Sequence, residues 1–143
     1  MMILEFLRDD HRKCDSAFAD TESAVAKGDL ATAREAFERF NSETLHHFAM
    51  EEEILFPAFE QRSGMQGGPT QVMRMEHEQV RGLLERMRTA LDNGDSNGFL
   101  GMAESMMILL QQHNMKEEQM LYPACDHTLQ GDASLVIDEM KAL

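Results

Sequence analysis

The sequence predicts an all-α protein, an antiparallel up-down-up-down four-helix bundle with a short C-terminal helical tail. Three observations carry this. Breaker residues cluster at only a few places: Gly28-Asp29, residues 63–69 (Ser-Gly-Met-Gln-Gly-Gly-Pro), Asn93-Gly94-Asp95 with Gly98, and Gly131-Asp132. The segments between them repeat apolar residues at alternating steps of three and four. No segment shows the sustained two-residue alternation of a strand. A chain of 143 residues is expected to form a single domain over residues 1–143. It can bury roughly 68% of its unfolded surface, enough for a core without disulfides.

Each helix has its own seam. The first runs Leu4, Leu7, His11, Cys14, Phe18, Thr21 and Val25. The second runs Phe37, Phe40, Thr44, His47, Glu51, Ile54 and Ala58, and the third Met73, His77, Val80, Leu84, Met87 and Leu91. The fourth runs Ala103, Met106, Leu110, His113, Glu117, Met120 and Ala124. Such seams belong to the core of an antiparallel bundle with short loops. Asp29, Thr70 and Ser96 are the expected N-caps. Pro57 and Pro123 are expected to kink or end their helices. Residues 132–143 form the tail.

Composition narrows the function classes. The chain is 43% apolar and 27% charged, too apolar for disorder. No apolar run reaches the ~18 residues of a membrane span. No basic segment followed by an apolar one suggests a secretion signal, so a cytoplasmic protein is expected. The net charge of −13 repels phosphate backbones, which argues against nucleic acid as a partner. The two cysteines, Cys14 and Cys125, are too few for a disulfide scaffold. In the expected topology they lie roughly 22 Å apart along the bundle axis. A disulfide needs Cα atoms within ~7 Å, so none is expected between them.

Each seam is apolar except near one point, where it carries His or Glu, residues that are costly to bury without partners. An internal repeat explains the pattern. Residues 47–58 (His-Phe-Ala-Met-Glu-Glu-Glu-Ile-Leu-Phe-Pro-Ala) match residues 113–124 (His-Asn-Met-Lys-Glu-Glu-Gln-Met-Leu-Tyr-Pro-Ala) at an offset of 66, with six of twelve positions identical. The same offset carries Asp10-His11 onto Glu76-His77. The chain is thus two helical hairpins, each with one His on its first helix and His-x-x-x-Glu on its second. Residues equidistant from a turn meet across a hairpin, and this places His11, His47, Glu51, His77, His113 and Glu117 at one height, ~25 Å from the first turn. Within His-x-x-x-Glu the two side chains share a helix face.

One histidine on an apolar seam is ordinarily a hydrogen-bonded core residue. Four at one level with two glutamates form a metal-ligand set. Imidazole and carboxylate suit iron, zinc or manganese. Each Glu is placed to bridge two metals, with two His capping each, which leaves open positions for a small ligand. A closed zinc site more often uses four ligands and Cys.

The combination of Asp10-His11, His47-x-x-x-Glu51-Glu52 with Leu55-Phe56-Pro57, Glu76-His77, and His113-x-x-x-Glu117-Glu118 with Leu121-Tyr122-Pro123 resembles the hemerythrin-like, HHE cation-binding family over about residues 2–125. The resemblance implies a four-helix bundle with two non-haem iron ions on His11, His47, Glu51, His77, His113 and Glu117. Oxygen carriers of that family have a fifth His one turn before the His of the third helix, where this chain has Met73. They also use Asp five residues after the last His, a position held here by Glu118. The set of four His and two Glu is more similar to the branch that includes iron–sulfur repair proteins and sensory domains. Repair proteins carry a Cys-containing N-terminal segment, whereas this chain starts directly with the bundle.

The expected function is therefore binding or sensing of dioxygen, nitric oxide or peroxide at a di-iron centre. Iron handling, including iron–sulfur repair, and a di-iron oxidoreductase or peroxidase are the alternatives. His46 and His127 read as surface or outer residues, and Glu52 and Glu118 as acids outside the ligand set. Asp15 reads equally as a surface acid or as a residue that orients His11, and Met73 reads as core filler. Tyr122 is able to donate a hydrogen bond near the site, but it reads as packing because its counterpart in the first hairpin is Phe56.

Overall fold

A computed structural model describes residues 1–143 and is helical almost throughout. The bundle helices are α1 (Ile3–Ala26), α2 (Leu30–Ala49) continuing into α3 (Phe56–Ser63), α4 (Pro69–Asp92), and α5 (Ser96–Lys116) continuing into α6 (Tyr122–Thr128). The tail is α7 (Ala133–Lys141). Helix α1 packs on α2 and α5, and α4 on α5 and α2. These are the neighbour relations of an up-down-up-down bundle. No helix is long and apolar enough to cross a membrane.

The turns follow local chemistry. Gly28 and Gly94, one repeat apart, end α1 and α4 at φ +77° and +67°, where only glycine sits without strain. Asp29 caps α2 as expected, accepting from the Thr32 N–H at 3.2 Å. The other two expected caps are displaced. Asp95, not Ser96, caps α5, accepting from the Gly98 N–H at 2.9 Å. Gly68 precedes α4, while the Thr70 hydroxyl donates to Glu60 Oε2 at 2.6 Å. The start of α1 is capped from across the fold, where Asp126 accepts from the N–H groups of Ile3 and Leu4 at 2.7 and 3.1 Å.

Neither proline breaks its helix. Between α2 and α3, and again between α5 and α6, the chain forms a π-helical turn, over Met50–Leu55 and Glu117–Leu121. The Phe56 N–H donates to the Glu51 carbonyl, and the Tyr122 N–H to the Glu117 carbonyl, five residues back in each case. Pro57 and Pro123 follow immediately. A proline ring presses on the carbonyl four residues back, and the wider turn relieves it. The extra residue also shifts the seam by one position. Leu55 and Phe59 are buried where the periodicity predicts Ile54 and Ala58. Leu121 and Cys125 replace Met120 and Ala124, and Met120 is 71% exposed.

The core is in two parts. The larger, near the turns at Gly28 and Gly94, is built on Phe18, Phe37, Phe40, Phe48, Leu84 and Phe99. The smaller, at the opposite end, contains Ile3, Leu7, Leu55, Phe56, Met73 and Tyr122, closed by Val136, Ile137 and Met140 of α7. The polar layer lies between them.

Candidate metal centre

Six side chains from the four bundle helices meet in that layer: His11, His47, Glu51, His77, His113 and Glu117. All are buried, and both glutamates and His77 are wholly so. Glu51, His77, His113 and Glu117 each offer a ligand atom within 4.8 Å of the others, and so do His11, His47 and Glu117. The structure thus brings together every residue that the repeat singles out.

An outer ring of carboxylates orients the imidazoles. His11 Nδ1–H donates to Glu118 at 2.7 Å and His47 Nδ1–H to Asp10 at 2.7 Å. His77 Nδ1–H donates to Glu52 at 2.6 Å and His113 Nδ1–H to Glu76 at 2.8 Å. Two of these bonds stay within a hairpin and two cross between hairpins. Each fixes the tautomer and leaves Nε2 facing inward, the arrangement that metal-ligating histidines need.

The inner atoms cross between hairpins too. Glu51 Oε1 lies 3.5 Å from His47 Nε2 and 3.1 Å from His77 Nε2. Glu117 Oε1 lies 3.1 Å from His11 Nε2 and 3.2 Å from His113 Nε2. Each glutamate therefore faces one imidazole from each hairpin. Glu51 Oε1, Glu117 Oε2, His77 Nε2 and His113 Nε2 are buried without a hydrogen-bond partner. Orphaned buried nitrogen and carboxylate atoms aimed at one another are costly in a metal-free protein. A bound cation satisfies them together, so the donor set fits one.

The charges agree. Burial pulls His47 down, but the carboxylates of Glu51 and Asp10 outweigh it and hold the imidazole at about 10. His113 likewise rises against burial, through Glu117, Glu51 and Glu76, to about 9. Burial opposes ionisation of Glu51, yet His47 and the surrounding hydrogen bonds hold it well below the usual carboxylate range. Without metal, imidazolium at His47 and His113 balances the carboxylate of Glu51.

Some residues depart from their sequence reading and others follow it. Tyr122 packs in the smaller core as expected, and its hydroxyl does more. Its hydroxyl donates to Glu51 Oε2 at 2.6 Å and lies 3.0 Å from Glu117 Oε1. Asp15 is exposed, and Glu118 takes the place expected for it at His11 Nδ1. Asp10 and Glu76 orient the histidines across their own hairpins, and their position one residue before His11 and His77 was the available signal. Met73 is buried in the smaller core beside the site. His46 and His127 are exposed. Cys14 and Cys125 are free and buried, and burial pushes the Cys14 thiol up to about 12.

The two halves of the centre are shielded differently. Beside His77, the Phe48 ring stacks at 3.8 Å between centroids. The Arg81 guanidinium lies 5.4 Å from the Phe48 centroid and bonds Glu52 at 2.8 Å, and Arg88 lies 5.4 Å over Phe37. Beside His11, one repeat away, these four positions hold Asn114, Asp15, Glu22 and Ala103. A groove of about 560 Å³ runs there between α1 and α5, lined by Asp15, Phe18, Glu22, Leu110, Asn114 and Glu118 among others.

A buried set of imidazoles and carboxylates, contributed by all four helices of a bundle, defines a cation-binding helical-bundle protein. The description of the hemerythrin HHE cation-binding domain matches residues 2–125. The chain belongs to the hemerythrin HHE cation-binding family. It is 30% identical over 127 residues to an uncharacterized hemerythrin-like protein of Schizosaccharomyces pombe, covering 88% of this chain and 60% of that protein. The chain therefore spans about three-fifths of that relative's length. No solved structure matches the chain.

Proposed function

We propose that the centre holds two iron ions and binds or senses a small ligand, such as dioxygen, nitric oxide or peroxide. The observation that most supports this is the crossing of the carboxylates, with Glu51 and Glu117 each facing one imidazole from each hairpin. His11 and His47 would hold one ion and His77 and His113 the other, with both glutamates shared. When bound, iron supplies Lewis-acid and redox chemistry and leaves coordination positions for the small ligand. The chain's own residues do the rest. Asp10, Glu52, Glu76 and Glu118 hold the Nδ1 protons and so keep Nε2 available. Phe48 and Arg81 exclude water beside His77, while the groove beside His11 gives a small ligand access.

Met73 stands where family oxygen carriers have a further His, which favours sensing or detoxification over reversible carriage. A second reading is iron transfer to a partner, including iron–sulfur repair. The acidic groove favours it, because Glu118, which lines it, bonds His11 directly. Anaerobic loading with ferrous iron separates the two. Iron content and optical and Mössbauer spectra are recorded before and after exposure to dioxygen and to nitric oxide. A spectral change with iron retained supports ligand binding, and loss of iron to a chelator on exposure supports transfer. Failure to bind iron refutes both.

A further inference from the structure

We infer that Tyr122 is itself a metal ligand, its phenol oxygen binding the cation held by His11 and His47, so that the two halves of the centre are chemically unequal. The inference rests on the two-cation reading above. The phenol oxygen lies 2.6 Å from Glu51 Oε2, 3.0 Å from Glu117 Oε1, and 3.2 Å from Nε2 of both His11 and His47. These are four ligand atoms on four separate side chains, gathered around one oxygen. A phenol donates one proton and accepts through two lone pairs. Two carboxylates and two imidazoles exceed what packing around a structural tyrosine requires, but they are what a coordination shell supplies.

Tyr122 has no room to withdraw. It is wholly buried, and its ring stacks on His11 at 5.7 Å between centroids. It sits at the junction of the second π turn and α6, with Pro123 next in the chain. A cation entering between His11, His47 and Glu117 therefore meets the phenol oxygen at once. Phenolate is an iron ligand of the hard oxygen type. Ligation breaks the phenol O–H bond, the proton passes to solvent, and no electron moves.

The other hairpin is a built-in control. Phe56, one repeat earlier, stacks on His77 at 5.9 Å and 17°, close to the 5.7 Å and 28° of Tyr122 on His11. The rings occupy equivalent places, and one hydroxyl separates them.

The chain contains a single tyrosine, so any tyrosinate signal has one source. The full chain is loaded with ferric iron, its iron is counted, and visible absorption and resonance Raman spectra are taken with and without ring-deuterated tyrosine. The expected result is a visible phenolate-to-iron band whose excitation enhances tyrosine ring modes that shift on deuteration. Tyr122→Phe should bind iron and lose the band completely. If that variant does not fold, the labelled wild-type spectrum decides alone. Two irons per chain without tyrosine-enhanced modes would overturn the inference and leave the two-cation reading standing. A band that survives in Tyr122→Phe also overturns it, and a chain that holds no iron overturns both.

Discussion

The two hairpins repeat element for element, yet they enclose their imidazoles differently. Around His77 the second half is apolar and sealed, with Phe48 and Phe56 stacked on the ring and Arg81 laid over Phe48. Around His11 the first half is polar and open, with Tyr122 in place of Phe56, Asn114 in place of Phe48, and a groove lined by Asp15 and Glu22 in place of Arg81 and Arg88. The carboxylate that orients each of these rings is the same in both halves, Glu52 for His77 and Glu118 for His11. Duplication preserved what holds the imidazoles and varied what surrounds them. The variation lies where a small ligand or an incoming ion meets the site.

The largest effect should come from what the halves share. Glu51→Ala with Glu117→Ala removes both crossing carboxylates and should abolish metal binding, read as iron content after anaerobic loading. Retention of two irons would show that the histidines alone build the site. Next comes the sealed half. Phe48→Ala opens a cavity against His77 and should cost about 3–5 kcal/mol in denaturant unfolding of the metal-free chain. Asn114→Ala, on the open side, should fall within about 0.5 kcal/mol. Equal costs would dissolve the distinction between the halves.

Smaller effects come from the orienting acids. Glu52→Gln and Glu118→Gln should each weaken metal binding by about 10–100-fold, measured by competition with a chelator. Glu52→Gln should also lower stability, because Glu52 bonds Arg81 as well. An unchanged affinity in both variants would reduce these bonds to packing.

The pH response tests the charge balance. With His47 at about 10 and His113 at about 9, both above 6.5, the metal-free chain gains stability where these rings are protonated only when folded. That contribution is complete below about pH 6.5 and is lost as pH rises through about 9 to 10. Metal binding runs oppositely, because it must displace those protons and so tightens as pH rises. Denaturation midpoints and iron affinity across pH 6–10 should therefore move in opposite directions. Parallel trends would refute the balance.

Much of this was legible in the sequence, because the features that carry it are periodic. Spacings of three and four gave the four helices, and the offset of 66 gave both halves of the site. The shifted seam and the reach of Tyr122 trace to one local event. An α-helix sets residues five apart about 140° from one another, so a regular helix would keep Tyr122 away from Glu117. The π turn brings the two together and shifts the following seam by one residue, to Leu121 and Cys125. Pro123 signalled a disturbance without saying which kind. The grooved side was hidden for another reason. It follows from residues such as Asp15 and Asn114 that leave space, and sequence periodicity does not register an absent side chain.

The shared carboxylates are the centre of this account, and magnetism tests them directly. The full chain is loaded anaerobically with ferrous iron, oxidised, and examined by iron analysis and low-temperature Mössbauer spectroscopy in an applied field. Two irons per chain, coupled antiferromagnetically through bridging groups, is the result expected if Glu51 and Glu117 are shared between the hairpins. One iron per chain, or two that behave as isolated ions, would contradict it.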